Sequence, residues 1–207
     1  MKHVLQIAVS LLLMVSLPVL ALGNAEAGKG KAAVCGACHG ADGNSVVPNW
    51  PKIAGQHAAY LERQVSLVKS GDRQIPEMAG IVINLTEQDI ADIAAYYATQ
   101  TMSAGLADEA LSAAGETLYR AGNTKTDIPA CMSCHGPAGE GNPLVPYPSL
   151  AGQHSVYTEK MLKGFRAGQL WGEDNASSKI MTEVALRLTD SEIKAVSSYI
   201  QGLHAAE

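Results

Sequence analysis

All four cysteines of the 207-residue chain fall in two copies of one pattern. Cys35 and Cys38 precede His39 in "VCGACHGADGNS", and Cys131 and Cys134 precede His135 in "ACMSCHGPAGEGN". A C-x-x-C pair can be a redox dithiol, half of a zinc site, or a haem attachment point. A dithiol enzyme calls for a βαβ neighbourhood and has no use for a histidine directly after the second cysteine. A structural zinc site pools two such pairs in one tetrahedron. Here the pairs lie 96 positions apart (131 − 35), each with its own histidine. C-x-x-C-H is the c-type haem signature. Positions i and i+3 share a helix face, so both sulfurs can reach the vinyl groups of one porphyrin. The next residue is then held beneath the iron, where an imidazole serves as axial ligand. The expectation is two covalently bound haem c groups, tethered by Cys35, Cys38, Cys131 and Cys134, with His39 and His135 as proximal ligands.

The sixth ligand has to be sought among residues that are more often core filler. Beyond the leader described below, the methionines are Met78, Met102, Met132, Met161 and Met181. Met132 lies inside a C-x-x-C and cannot fold to the far side of its own haem. Met102 and Met161 have no methionine counterpart in the other half of the chain, Met161 aligning with Gln64. Met78 and Met181 are equivalent, each seven residues before a leucine that leads into a capped helix. They are the expected sixth ligands, presented from loops. His57 and His154 also recur, in "AGQH", and compete with them; the plainer reading has each start a helix and bond backbone or a propionate. A ligating imidazole usually gives its other N–H to an acceptor, and the carbonyls of Pro51 and Pro148 are placed to accept. Trp50 and Tyr147 pack against haem or serve as ordinary core. His204, without a repeat partner, reads as solvated.

These residues are positioned by an internal repeat. "WPKIAGQHAAY" (Trp50–Tyr60) returns as "YPSLAGQHSVY" (Tyr147–Tyr157) at an offset of 97, and the segment from Met78 to Gln100 returns from Met181 to Leu203 at an offset of 103. Each half runs short helix, C-x-x-C-H, Gly/Pro-rich loop, AGQH, helix, methionine, final helix. Thr86 with Asp89 and Thr189 with Glu192 read as capping boxes, followed by apolar or small residues at helical spacing. No period-2 strand pattern stands out. One phenylalanine and two tryptophans make a thin core that a buried porphyrin would complete. The fold class expected is all-α, two tandem haem domains spanning 22–105 and 106–207.

Residues 1–21 read as a secretory signal peptide cut after Ala21: a short polar start, an apolar run to Leu22, Pro18 and a small-residue end. An uncleaved anchor is the rival, and Gln6, Ser10, Ser16 and Pro18 weaken it. Export suits thioether chemistry and places the chain in a bacterial periplasm. Loss of Lys2 with the leader takes the formal charge from −5 to −6. With no basic run, nucleic acid and anionic membrane surfaces are excluded as principal partners.

The sequence resembles the class I c-type cytochromes, and the tandem pair resembles the cytochrome c4 family of dihaem periplasmic electron carriers. The likeness rests on "CGACHG" and "CMSCHG", the paired "AGQH" segments and the two methionine-to-helix ends, and covers essentially the whole mature chain. It implies one haem per domain, His39/Met78 on one iron and His135/Met181 on the other, and a pseudo-twofold pair of domains with close haems. It also implies a glycine of each first helix against a tyrosine of the last: Gly28 with Tyr96 or Tyr97, and Gly115 with Tyr199. As function it implies an electron carrier, not an enzyme, between an upstream donor such as a quinol-oxidising complex and a terminal oxidase. A dihaem peroxidase would need a distal acid or base beside an open iron, where both halves carry a matched methionine. A haem subunit held permanently on a membrane oxidase is the other rival, and loose membrane association stays open.

Overall fold

The computed structural model describes residues 22–145, 147–169, 171–172 and 176–204, the side chains of 176 and 177 excepted. The leader expected at 1–21, and part of the approach to Met181, lie outside the described residues. Among those described, regular structure is helical, with only two isolated antiparallel bridges, Asn123 with Ile128 and Asn142 with Tyr147.

The first half comprises α1 (Ala25–Lys31), α2 (Ala33–His39), α3 (Ala58–Ser70), α4 (Pro76–Val82) and α5 (Glu87–Ala98). The second repeats that order with α6 (Glu109–Ala121), α7 (Met132–His135), α8 (Ser155–Arg166), α9 (Ala176–Ala185) and α10 (Asp190–Gly202). Local chemistry sets the helix starts. Asn24 caps α1 by accepting from Ala27 N, and both Thr86 and Thr189 close complete capping boxes with Asp89 and Glu192. Each box satisfies otherwise orphaned N–H groups at a helix start.

In each half the first helix packs on the last, α1 on α5 and α6 on α10, with α3 and α8 against the same final helices. The approach is close because both first helices present glycine. A Cβ at Gly28 would collide with the Asp92 carbonyl and press on Tyr96 Cβ; one at Gly115 would collide with the Ala195 carbonyl and Tyr199 Cβ. Tyr97, 1 % exposed, points elsewhere and gives its hydroxyl to Ala32 O. The first core gathers Ala32, Leu61, Ile93, Ala94 and Tyr97; the second is larger, built on Leu118, Tyr119, Phe165, Trp171, Ile193, Val196 and Ile200.

The halves meet through the repeated AGQH segments. Gln56 gives Nε2–H to Ser149 O (2.9 Å) and accepts from Ser149 N (3.0 Å). Gln153 gives Nε2–H to Lys52 O (2.8 Å) and accepts from Lys52 N (2.9 Å). Ser149 and Lys52 are themselves equivalent, so the contact is self-complementary about a pseudo-twofold axis. The connecting segment is held on both sides. Asn44 bonds Thr101 O and Ser103, and Lys52 Nζ donates to Ser103 O and Oγ. Beyond it, Gly105 N donates to Gln201 O, Gln201 Nε2 to Leu106 O, and Asp108 N to Ser198 Oγ.

Candidate functional site

The two C-x-x-C-H motifs form α2 and α7, each stopped directly after its histidine. Gly40 and Gly136 take φ of 83° and 79°, a turn that side chains disfavour. His39 and His135 are 8 % and 7 % exposed. Their Nδ1–H groups donate to Pro51 O at 2.9 Å and Pro148 O at 3.0 Å. That bond fixes the tautomer and leaves Nε2 with its lone pair for a metal. Burial holds both imidazoles below the usual histidine pKa, against the smaller opposing pull of the proline carbonyls. Neutral imidazole is the ligating form.

The cysteine environment argues against the dithiol and zinc readings. A reactive dithiol needs a depressed thiol pKa. Burial instead raises Cys35 and pushes Cys131 up to about 11. Among the described residues no three of His, Cys, Asp and Glu converge on a metal-sized point, so the two pairs do not pool.

A cavity of about 930 Å³ runs between the halves. Cys35, Cys38, His39 and Met78 line its first end, and Cys131, Cys134, His135 and Met181 its second. Its walls are mostly apolar, with Ile53, Leu61, Val82, Ile93, Leu150 and Phe165 among them, as a porphyrin face requires. Trp171 is also on the wall, and its buried Nε1–H has no acceptor among the described residues. An apolar slot, a neutral histidine with its second nitrogen engaged and two unpaired thiols fit a haem at each end, and the second half adds the unsatisfied Trp171 donor.

Met78 and Met181 do not stand in loops as the sequence suggested. Met78 is the third residue of α4 and Met181 the sixth of α9. Pro76 at the start of α4 begins a helix by its fixed φ. Both thioethers still reach the cavity, each half-buried. Trp50 and Tyr147 line it too, Tyr147 with its ring centroid 6.2 Å from that of His135.

The repeated histidines part company. His57 and His154 occupy the N-cap positions of α3 and α8, neither capping with its side chain. His154 Nε2 bonds Ser45 O across the interface at 2.8 Å, whereas His57 Nε2 is buried without a partner among the described residues. Neither lines the cavity. His204 is exposed and bonds Gly202 O. Sequence reasoning missed Arg73, which enters the cavity wall from the first half. Its only signal was a charged residue before the methionine helix with no charged match in the repeat.

The cytochrome c family model matches residues 25–101 and again 112–204. The chain is 50 % identical over 201 residues to the cytochrome c4 of Pseudomonas aeruginosa, covering 96 % of this chain and 99 % of that one. It is 48 % identical to the cytochrome c4 of Azotobacter vinelandii, over 89 % of this chain and 91 % of the relative. The crystal structure of reduced recombinant cytochrome c4 from Pseudomonas stutzeri superposes with a TM-score of 0.84 at 49 % identity, over 88 % of this chain and 100 % of that one.

Proposed function

The chain belongs to the cytochrome c family, among its dihaem cytochrome c4 members, and on that premise we propose that it works in a bacterial periplasm, passing electrons to a terminal oxidase. It carries two covalently bound haem c groups in two tandem cytochrome c domains; we place the boundary at 105/106. Bound haem supplies a one-electron iron couple. The protein's part is to tether, ligate and dry it. Cys35 and Cys38 tether the first group and Cys131 and Cys134 the second. In this reading His39 with Met78, and His135 with Met181, complete the two coordination spheres.

One observation carries the proposal: at both ends of one cavity a buried histidine, oriented by a proline carbonyl, shares the wall with a matched methionine. A saturated methionine–histidine iron has a raised potential and no open position for substrate. That is the chemistry of a carrier. A short-lived encounter with each partner through a small interface then suffices.

The test is a redox titration with optical detection on the purified protein, together with its intact mass. Two haem masses and two reversible one-electron steps in the range of methionine–histidine haems are expected. One haem mass removes the dihaem assignment. Membranes containing the terminal oxidase should oxidise the reduced protein in an oxygen-dependent, oxidase-inhibitor-sensitive way. Failure there would leave the carrier and remove the oxidase as its acceptor.

A further inference from the structure

Arg73 is 8 % exposed and lies three residues before the start of α4. Its backbone N–H donates to Leu67 O at 2.9 Å, which fixes it in the first half. Its side chain spans to the other. Nη1 donates to Gln64 Oε1 at 2.6 Å, and Nη2 to the Tyr157 hydroxyl at 3.0 Å, with the Met161 sulfur at 3.9 Å. The guanidinium carbon stands 4.3 Å from the centre of the Trp171 ring. Among the described residues no carboxylate lies within ion-pair distance of it. A buried cation held only by dipoles and a ring face depends on those partners for most of its stabilisation.

Trp171 in turn belongs to the methionine segment of the second half. It is 7 % exposed, packs on Phe165 with ring centroids 5.0 Å apart, and its backbone N–H donates to Ser178 Oγ at 3.2 Å. Ser178 is in α9, three residues before Met181. The repeat offers no return link, because Gly71-Asp72-Arg73 aligns with Gly168-Gln169-Leu170.

We propose that Arg73 is a positioning residue for the second iron: by clamping Trp171 from across the interface it holds the segment that presents Met181, so a first-half residue sets the strength of the second half's sixth ligand. The inference rests on the assignment of Met181 as that ligand. It makes the two sites unequal by construction, since the repeat has Leu170 where the first half has Arg73.

The experiment uses the full-length holoprotein and imidazole, which competes with a thioether for iron. The methionine methyl proton signals of the oxidised protein, one per site, report imidazole binding at each iron and are assigned by their loss in Met78→Ala and Met181→Ala. In Arg73→Gln, imidazole should bind the oxidised Met181 site about tenfold more tightly than in the unaltered protein, while the Met78 site changes by less than about twofold. Arg73→Lys keeps the charge but loses the planar fork to Gln64 and Tyr157, and should fall between the two. Should Arg73→Gln not fold, Arg73→Lys decides on the same criterion. Equal changes at both sites, or no change at either, overturn the proposal, even if thermal stability drops. If Met181→Ala keeps both methyl signals, the ligand assignment itself fails and takes the clamp with it, an outcome the Arg73 variants cannot mimic.

Discussion

A thioether is a soft, neutral ligand with no proton to lose, so its effect on an iron appears in spectrum and potential and not in charge. Met78→Ala and Met181→Ala should therefore each abolish about half of the near-infrared methionine–iron absorption of the oxidised protein and lower one potential only, leaving the other step in place. An unchanged spectrum in either variant would transfer that ligand role elsewhere. His57 and His154 are poor successors, since neither lines the cavity and His154 is committed to Ser45 O. At this scale the sequence was informative wherever chemistry is contiguous or duplicated. The place of the cysteines, His39 and His135 on the cavity wall could be read from five-residue motifs, that of Met78 and Met181 from their recurrence, and the proline carbonyls from the second hydrogen bond an imidazole needs. Arg73 could not be read. Its partners Tyr157 and Met161 lie 84 and 88 positions away, and no local pattern encodes a contact that exists only once two halves have docked.

Helix pairs expose a different dependence, on what is missing from a side chain. Gly28 and Gly115 let α1 and α6 meet α5 and α10 with backbone against backbone. Gly28→Ala or Gly115→Ala should destabilise by about 1–3 kcal/mol, the usual cost of forcing a methyl into a packed crossing. Gly30→Ala, on the exposed side of α1 with nothing near its Cβ position, should instead stabilise by about 0.5–1 kcal/mol through helix propensity. Thermal unfolding of the three variants separates packing from propensity. The same α1–α5 contact carries a pH dependence. Asp92, 3 % exposed, accepts from Lys31 Nζ (2.6 Å), Asn24 N (2.8 Å) and Gln88 Nε2 (2.8 Å). These donors, Lys31 foremost, hold its carboxyl down at about 2. A folded value below the unfolded one, about 3.9, gives stability that is whole above that pH and lost as pH falls toward 2. Asp92→Asn should thus melt earlier than the unaltered protein at neutral pH, with the gap closing between pH 4 and 2. A constant gap would assign the effect to packing. The second half has Ala195 at this position and should not share the dependence. Helix starts were legible because capping boxes are local. That α4 and α9 are helices was not, since α4 is only 7 residues long and carries too few turns to show a period.

Across the whole molecule the question is whether two irons behave as one device. A charge on one is felt by the other in proportion to how dry and how fixed the ground between them is. Here that ground is a shared cavity closed by four reciprocal hydrogen bonds from Gln56 and Gln153, with the 101–108 segment tied to both halves. In the sequence the only sign of this is that residues 101–113 hold a single glycine and no proline; the reciprocity of the two glutamines follows from the repeat, but its geometry required the docked halves. Truncating both, Gln56→Ala with Gln153→Ala, leaves the backbone groups of Lys52 and Ser149 without partners, at about 1–3 kcal/mol for each group that stays buried. Water should then enter the interface, raise the effective dielectric between the irons and loosen the pair. In the unaltered protein, oxidation of one haem should shift the potential of the other and the halves should melt in a single transition. In the double variant the mutual shift should shrink, the melting should split in two, and small-angle scattering should report a larger radius of gyration. If the two potentials and their interaction survive unchanged while scattering shows the pair opened, the halves act independently and the interface serves only stability. If nothing opens, the glutamines are dispensable to a contact that apolar packing and the Arg73 clamp sustain alone.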